Sequence, residues 1–127
     1  MNLVDSSAWL EYLADGPAAE VFEPVITRTQ DLLVPVICIY EVFKRVLQQR
    51  DEESALRVVA LMQQGRVAGL DSTIALSAAK RSIEHKLPMA AAMILATAQA
   101  YHAVIWTQDA DFRNIEGVRY HPKTRGR

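Results

Sequence analysis

Four carboxylates in this chain stand where short apolar runs end. Asp5 closes "NLVD", Glu41 lies early in "VPVICIYEVFKRVL", and Asp109 and Asp111 follow "AVIWT" in the turn "TQDADF". Carboxylates drawn together raise one another's pKa values, so a cluster of them is costly unless a cation relieves it. Oxygen donors without histidine or cysteine at ligand spacing select a hard ion, Mg2+ or Mn2+, over zinc or copper. Each acid also has a plainer use. Asp5 suits the cap of a helix, Asp109 and Asp111 suit a helical turn at Phe112, and Glu41 can pair with Arg45 four residues on. Four independent caps, however, need not converge on one edge.

Convergence depends on the elements between the acids. The runs Asn2–Asp5, Leu32–Pro35, Val67–Leu70, Ala103–Thr107 and Val118–His121 are brief and almost free of charge, as strands covered on both faces should be. Between them lie stretches of helical period. "SSAWLEYLAD" opens on capping serines and stops before Gly16-Pro17, and a second helix is expected from Ala18 to about Thr29. "VICIYEVFKRVLQQR" carries an apolar stripe through Val36, Ile39, Tyr40, Phe43, Val46 and Leu47. Asp51 caps a fourth helix, and "DSTIALSAAKRSIEHKL" and "MAAAMILATAQAYH" meet at Pro88. Strands and helices alternating in this way predict an α/β fold of three layers, with a parallel sheet of about five short strands between helices. Right-handed crossovers then bring every strand's carboxyl end to one edge, where chemistry gathers in such sheets.

The chain has 127 residues, half of them apolar, which is enough for one core and too short for two. Residues 1–121 are read as one domain and 122–127, within the basic "HPKTRGR", as a frayed tail. A net charge of −1 excludes a global basic field, so any polyanion must be met by a local patch. The single cysteine, Cys38, fits a reducing cytoplasm and excludes an internal disulfide. The start "MNLVDSS" has no secretory pattern, and no apolar run is long enough to span a bilayer. His85, His102 and His121 lack metal-ligand spacing, and Gly65 and Gly69 match no phosphate-binding fingerprint. Ser6 and Ser7 have no elbow motif or histidine base, and are read as supports for Asp5 or for water. A phospho-receiver using Asp71 is disfavoured, because no lysine stands between Lys86 and Lys123.

Together "LVDSSAWLEYL", "VPVICIYEVFKRVL" and "LPMAAAMILATA…VIWTQDADF" resemble PIN domains, and among them the VapC ribonuclease toxins of bacterial toxin–antitoxin pairs. The resemblance runs from Asn2 to about Tyr120. It implies a Mg2+-dependent endoribonuclease acting on a tRNA or rRNA loop, a homodimer, and neutralisation by a VapB-type antitoxin. By position it implies that Asp5, Glu41 and Asp109 are catalytic metal ligands, with Asp111 a further ligand and Ser6 and Thr107 supporting hydroxyls. Where the family pattern has aspartate in the first turn of the last long helix, this chain has Ala91. We read this as replacement of a catalytic acid, which leaves the chain inactive. The alternative is a binding module that keeps the fold without the chemistry. Lys44, Arg45, Lys86 and Arg113 are the candidate RNA contacts, and the apolar face Trp9, Leu10, Tyr12 and Leu13 is divided between core and partner.

Overall fold

The computed structural model describes residues 1–124. The expected tail therefore lies partly outside the described residues, at 125–127. Five strands, β1 (Asn2–Val4), β2 (Leu32–Pro35), β3 (Arg66–Ala68), β4 (Val104–Thr107) and β5 (Val118–Tyr120), form one sheet in the order β3-β2-β1-β4-β5. Every pairing is parallel. Six helices flank it: α1 (Ser6–Leu13), α2 (Ala19–Thr27), α3 (Val36–Gln49), α4 (Glu52–Met62), α5 (Ser72–His85) and α6 (Met89–Ala100). The α/β sandwich expected from the apolar runs is the architecture found.

The buried residues form one apolar cluster. It includes Leu3 and Val4 of β1, Leu33 and Val34 of β2, Ile105 of β4, and Trp9, Phe22, Val42, Met62, Leu95 and Phe112 from the surrounding elements. Helix α6 is buried nearly all round, from Ala91 through Ala98. Its small side chains permit that, because α5 packs closely along it.

Several boundaries differ from the expected ones. Asp5 keeps an extended backbone and its N–H still reaches the Trp106 carbonyl, yet its side chain already caps α1. The third strand begins at Arg66 rather than Val67 and ends two residues early. Gly65 sets its approach to β2: a Cβ there would stand 2.9 Å from the Leu32 carbonyl oxygen. Helix α2 stops at Thr27, and a 3-10 turn, Thr29–Asp31, carries the chain into β2. Helix α5 ends with Lys86 in the left-handed region, φ 56°, before Pro88 is reached.

The order of strands reverses direction at β1. The chain steps from β1 to β2 and β3 on one side, then returns to lay β4 and β5 on the other. The crevice at such a switch point is where parallel α/β sheets seat ligands. Asp5 follows β1, and Asp109 stands two residues beyond β4.

Candidate functional site

Asp5 is 2% exposed, in the crevice between the ends of β1 and β4. Its Oδ1 accepts from Ser7 Oγ at 2.7 Å and from the Ala8 N–H at 3.2 Å, and its Oδ2 accepts from Thr107 Oγ1 at 2.8 Å. Burial pushes its carboxyl from 3.8 up to about 6, hydrogen bonds from Ser7, Thr107 and Ala8 oppose that, and the charge of Asp109 adds to it. Thr107 Oγ1 also accepts from the Asp109 N–H at 2.9 Å, so one hydroxyl ties the two acids' segments together. Ser7 Oγ accepts from the Gln108 N–H at 3.0 Å, a second strut between the loop after β4 and α1.

The plain readings and the convergent one turn out to be compatible. Asp5 caps α1, and Asp109 caps the 3-10 turn Ala110–Phe112 by accepting from the Asp111 N–H at 2.9 Å. The two caps nonetheless share one cleft of about 530 Å3, whose wall includes Asp5, Ser6, Ser7, Gln108, Asp109 and Lys123. A second cleft of about 430 Å3 adjoins it through Ser6, Ser7 and Lys123, and is walled by Glu41, Lys44 and Arg45. Glu41 accepts from Ser6 Oγ at 2.8 Å. Ser6 thus holds Glu41, while Ser7 holds Asp5. Cys38, fully buried one turn before Glu41, has its thiol pushed well above its usual range by burial and by the charges of Asp5 and Glu41.

Asp111, Ala91, Lys86 and Arg113 line neither cleft, whereas Leu10 lines the second. Asp111 is exposed and lines neither. Ala91 is 6% exposed and belongs to the apolar cluster. Lys86 and Arg113 are exposed and line neither cleft, so of the four expected RNA contacts only Lys44 and Arg45 stand at the site. Asp71 caps α5, accepting from the Ile74 N–H at 2.9 Å, which is its structural use. Trp9 is fully buried, whereas Leu10 and Leu13 border a groove of about 230 Å3 with Val46 and Val58.

As metal donors, Asp5 and Asp109 are hard oxygens, and among the described residues neither forms an ion pair with lysine or arginine. In kind they fit a hard divalent cation. In number they fall short, since no three His, Cys, Asp or Glu among the described residues stand close enough to hold a metal ion. Two residues of this site escaped the sequence reading. Gln108 is 4% exposed, and neither Nε2 nor Oε1 has a hydrogen-bond partner among the described residues. Lys123 falls in the stretch whose composition reads as a fraying tail. What places it is His121, whose N–H reaches the Thr107 carbonyl at 2.8 Å and whose ring stacks on Trp106, neither of which the sequence announces.

Residues 3–118 match the family model described as the PIN domain. Comparison with curated protein sequences finds no match. Among solved structures, the fold is similar to a chain of a toxin-antitoxin complex from Klebsiella pneumoniae, with TM-score 0.80 and 22% identity over 94% of this chain and 96% of that one. It is also similar to VapC20 of Mycobacterium tuberculosis, described as a sarcin-ricin loop cleaving toxin, with TM-score 0.73 and 13% identity over 88% and 92% of the two chains. A third, from DNA-bound VapBC of Salmonella typhimurium, has TM-score 0.72 and 18% identity over 96% and 98%. Identities this low establish a shared fold. No helix among the described residues is long and apolar enough to cross a membrane.

Proposed function

The chain belongs to the PIN-domain family, and from that premise we propose that its acidic cleft is that of an endoribonuclease of the VapC toxin type, partnered by a VapB-type antitoxin. The observation that carries the proposal is the pairing of buried Asp5 with Asp109 at the sheet's switch point. The solved chains of like fold from toxin–antitoxin complexes support the antitoxin partner.

Mg2+ or Mn2+ would be held by Asp5 and Asp109, with Glu41 at the adjoining cleft, and would supply positive charge against the oxygens of a phosphodiester. The chain's own residues prepare that position. Thr107 and Ser7 fix the Asp5 carboxylate by donating to its two oxygens, and Ser6 fixes Glu41. A cation bound there would offset the burial that chiefly pushes Asp5 upward, and the smaller contribution from the Asp109 charge. RNA recognition of this kind favours single-stranded loops, where the backbone can enter a cleft.

In this reading Ala91 stands where a further acid completes the donor set, and the chain as it stands is catalytically silent. Leu76 and Ile83, seven residues apart on α5, are 68% and 84% exposed, and Met89 is 71% exposed. This apolar face supports a two-fold dimer, the commonest closed assembly. The one competing reading that an observation favours is a binding module without chemistry, since a methyl group occupies position 91.

The experiment is Ala91→Asp, incubated with total cellular RNA in Mg2+, Mn2+ or EDTA beside the parent chain. Metal-dependent cleavage by the variant alone is the expected result. Absence of cleavage in every buffer would sink the ribonuclease reading and leave the binding module.

A further inference from the structure

The carboxylates alone would repel a polynucleotide, so the cleft needs cations at its rim. Three adjoining clefts meet there: that over Asp5 and Asp109, that beside Glu41, and a third of about 230 Å3 between Ser7, Glu11 and Arg45. Lys123 lines all three, and Arg45 lines the second and third. Both are exposed, and among the described residues neither lies within ion-pair distance of a carboxylate. Lys123 owes its place to β5. The His121 N–H extends the ladder to the Thr107 carbonyl, and the His121 ring lies flat on Trp106 and edge-on to Phe22. Pro122 then turns the chain along the wall of the first cleft. A second observation points the same way. Gln108, on the wall of the first and third clefts beside Lys123, buries an amide whose donor and acceptor both lack a partner among the described residues. Such an orphaned group calls for a polar ligand or water.

We infer that Lys123, with Arg45 across the cleft, grips backbone phosphates of a single-stranded RNA and so positions it against the Asp5–Asp109 pair. The inference rests on the ribonuclease reading and adds to it a positioning residue at the chain's basic end. Lys123 acts as a point charge on a phosphate, and Arg45 offers a planar fork to the next. Such contacts position the strand and carry no base preference.

Because the parent chain is read as silent, binding can be measured without loss of the RNA. Fluorescence anisotropy of a labelled single-stranded RNA, titrated with the parent, Lys123→Ala, Lys123→Arg, Arg45→Ala and the control Lys80→Ala, reads it in EDTA and in millimolar Mg2+. Salt is varied between about 50 and 200 mM, where each phosphate contact on a single strand contributes about 0.7 to the slope of log affinity against log salt. Lys123→Ala should bind several-fold more weakly with a slope lower by about 0.7, and Arg45→Ala should behave alike. Lys123→Arg should keep the parent's slope, and Lys80→Ala should change nothing. A Lys123→Ala chain equal to the parent in affinity and slope overturns the inference alone. A parent that binds no RNA in either buffer overturns the ribonuclease reading and this inference with it.

Discussion

Thr107 Oγ1 donates to Asp5 Oδ2 at 2.8 Å, across a sequence separation of 102 residues. Both side chains are withdrawn from solvent, Thr107 completely. The hydroxyl has one proton, spent on Asp5, so its 3.3 Å contact with Ser7 Oγ brings no second donor: the Ser7 proton is directed at Asp5 Oδ1. The carboxylate is therefore oriented by two hydroxyls that have nowhere better to donate.

Thr107→Val keeps the shape and removes that donor, together with the acceptor of the Asp109 N–H. Leaving buried polar groups unpaired costs roughly 1–3 kcal/mol. Urea denaturation at neutral pH should show a loss of that order. A variant as stable as the parent would mean the network is replaced by water.

Asp5→Asn should stabilise the metal-free chain near neutral pH. Asp5 holds its proton up to about 6 when folded, against 3.8 in its ordinary environment. The folded state therefore binds more protons between those values, and the group's contribution to stability falls as pH rises through them, by at most on the order of 3 kcal/mol. The advantage of Asn over Asp should be absent near pH 3 and complete by pH 7. Denaturation of both chains across that range checks it, and a constant difference would contradict the sign.

Ala91→Asp should destabilise the metal-free chain by about 1 kcal/mol or somewhat more, since position 91 is 6% exposed within the apolar cluster, where a carboxylate loses solvation without a partner charge. Millimolar Mg2+ should recover part of the loss, because an ion that binds only the folded chain stabilises it by mass action. Equal Mg2+ shifts in Tm for variant and parent would place residue 91 away from the ion.

Asp71→Ala should cost about 1 kcal/mol, and Asp71→Asn close to nothing, because both aspartate and asparagine cap helices well. Thermal melts of the two variants distinguish this from a role for the charge itself.

Leu76→Glu with Ile83→Glu should leave the fold intact, both side chains being more than two-thirds exposed, and convert a dimer into a monomer by light scattering. A parent that is already monomeric at micromolar concentration would count against the two-fold assembly.

The inner strands β1, β2 and β4 were legible because they are largely covered, which leaves short apolar runs with hardly a charge in them. Their ends were less so. Asp5 belongs to the ladder by its backbone and to α1 by its side chain, a double role that periodicity cannot register. Arg66 joins β3 although it is charged, since β3 is an edge strand and the guanidinium lies over the ring of Tyr101. At the site, acids after strands announce themselves by residue type. Lys123 does not, because nothing in "HPKTRGR" reports that the His121 ring stacks on Trp106, 6.2 Å between centroids but fifteen residues away in sequence. Gln108 was passed over for a similar reason: an amide between two motif residues carries no period and no charge.

The switch point that joins Asp5 to Asp109 also sets a timetable. The innermost strand, β1, is made first, and β4, which it needs on one side, is made last but one. At a synthesis rate of about 5–20 residues per second, some 5–20 s separate the two halves of the acid pair. During that interval β1 has no neighbour on its β4 side, and the contact between the two is among the most distant in sequence that the chain possesses. Such long-range closure slows folding. The nascent chain thus carries β1, β2 and β3 before it has an acidic centre, and whatever chemistry this cleft performs begins only after Asp109 has emerged.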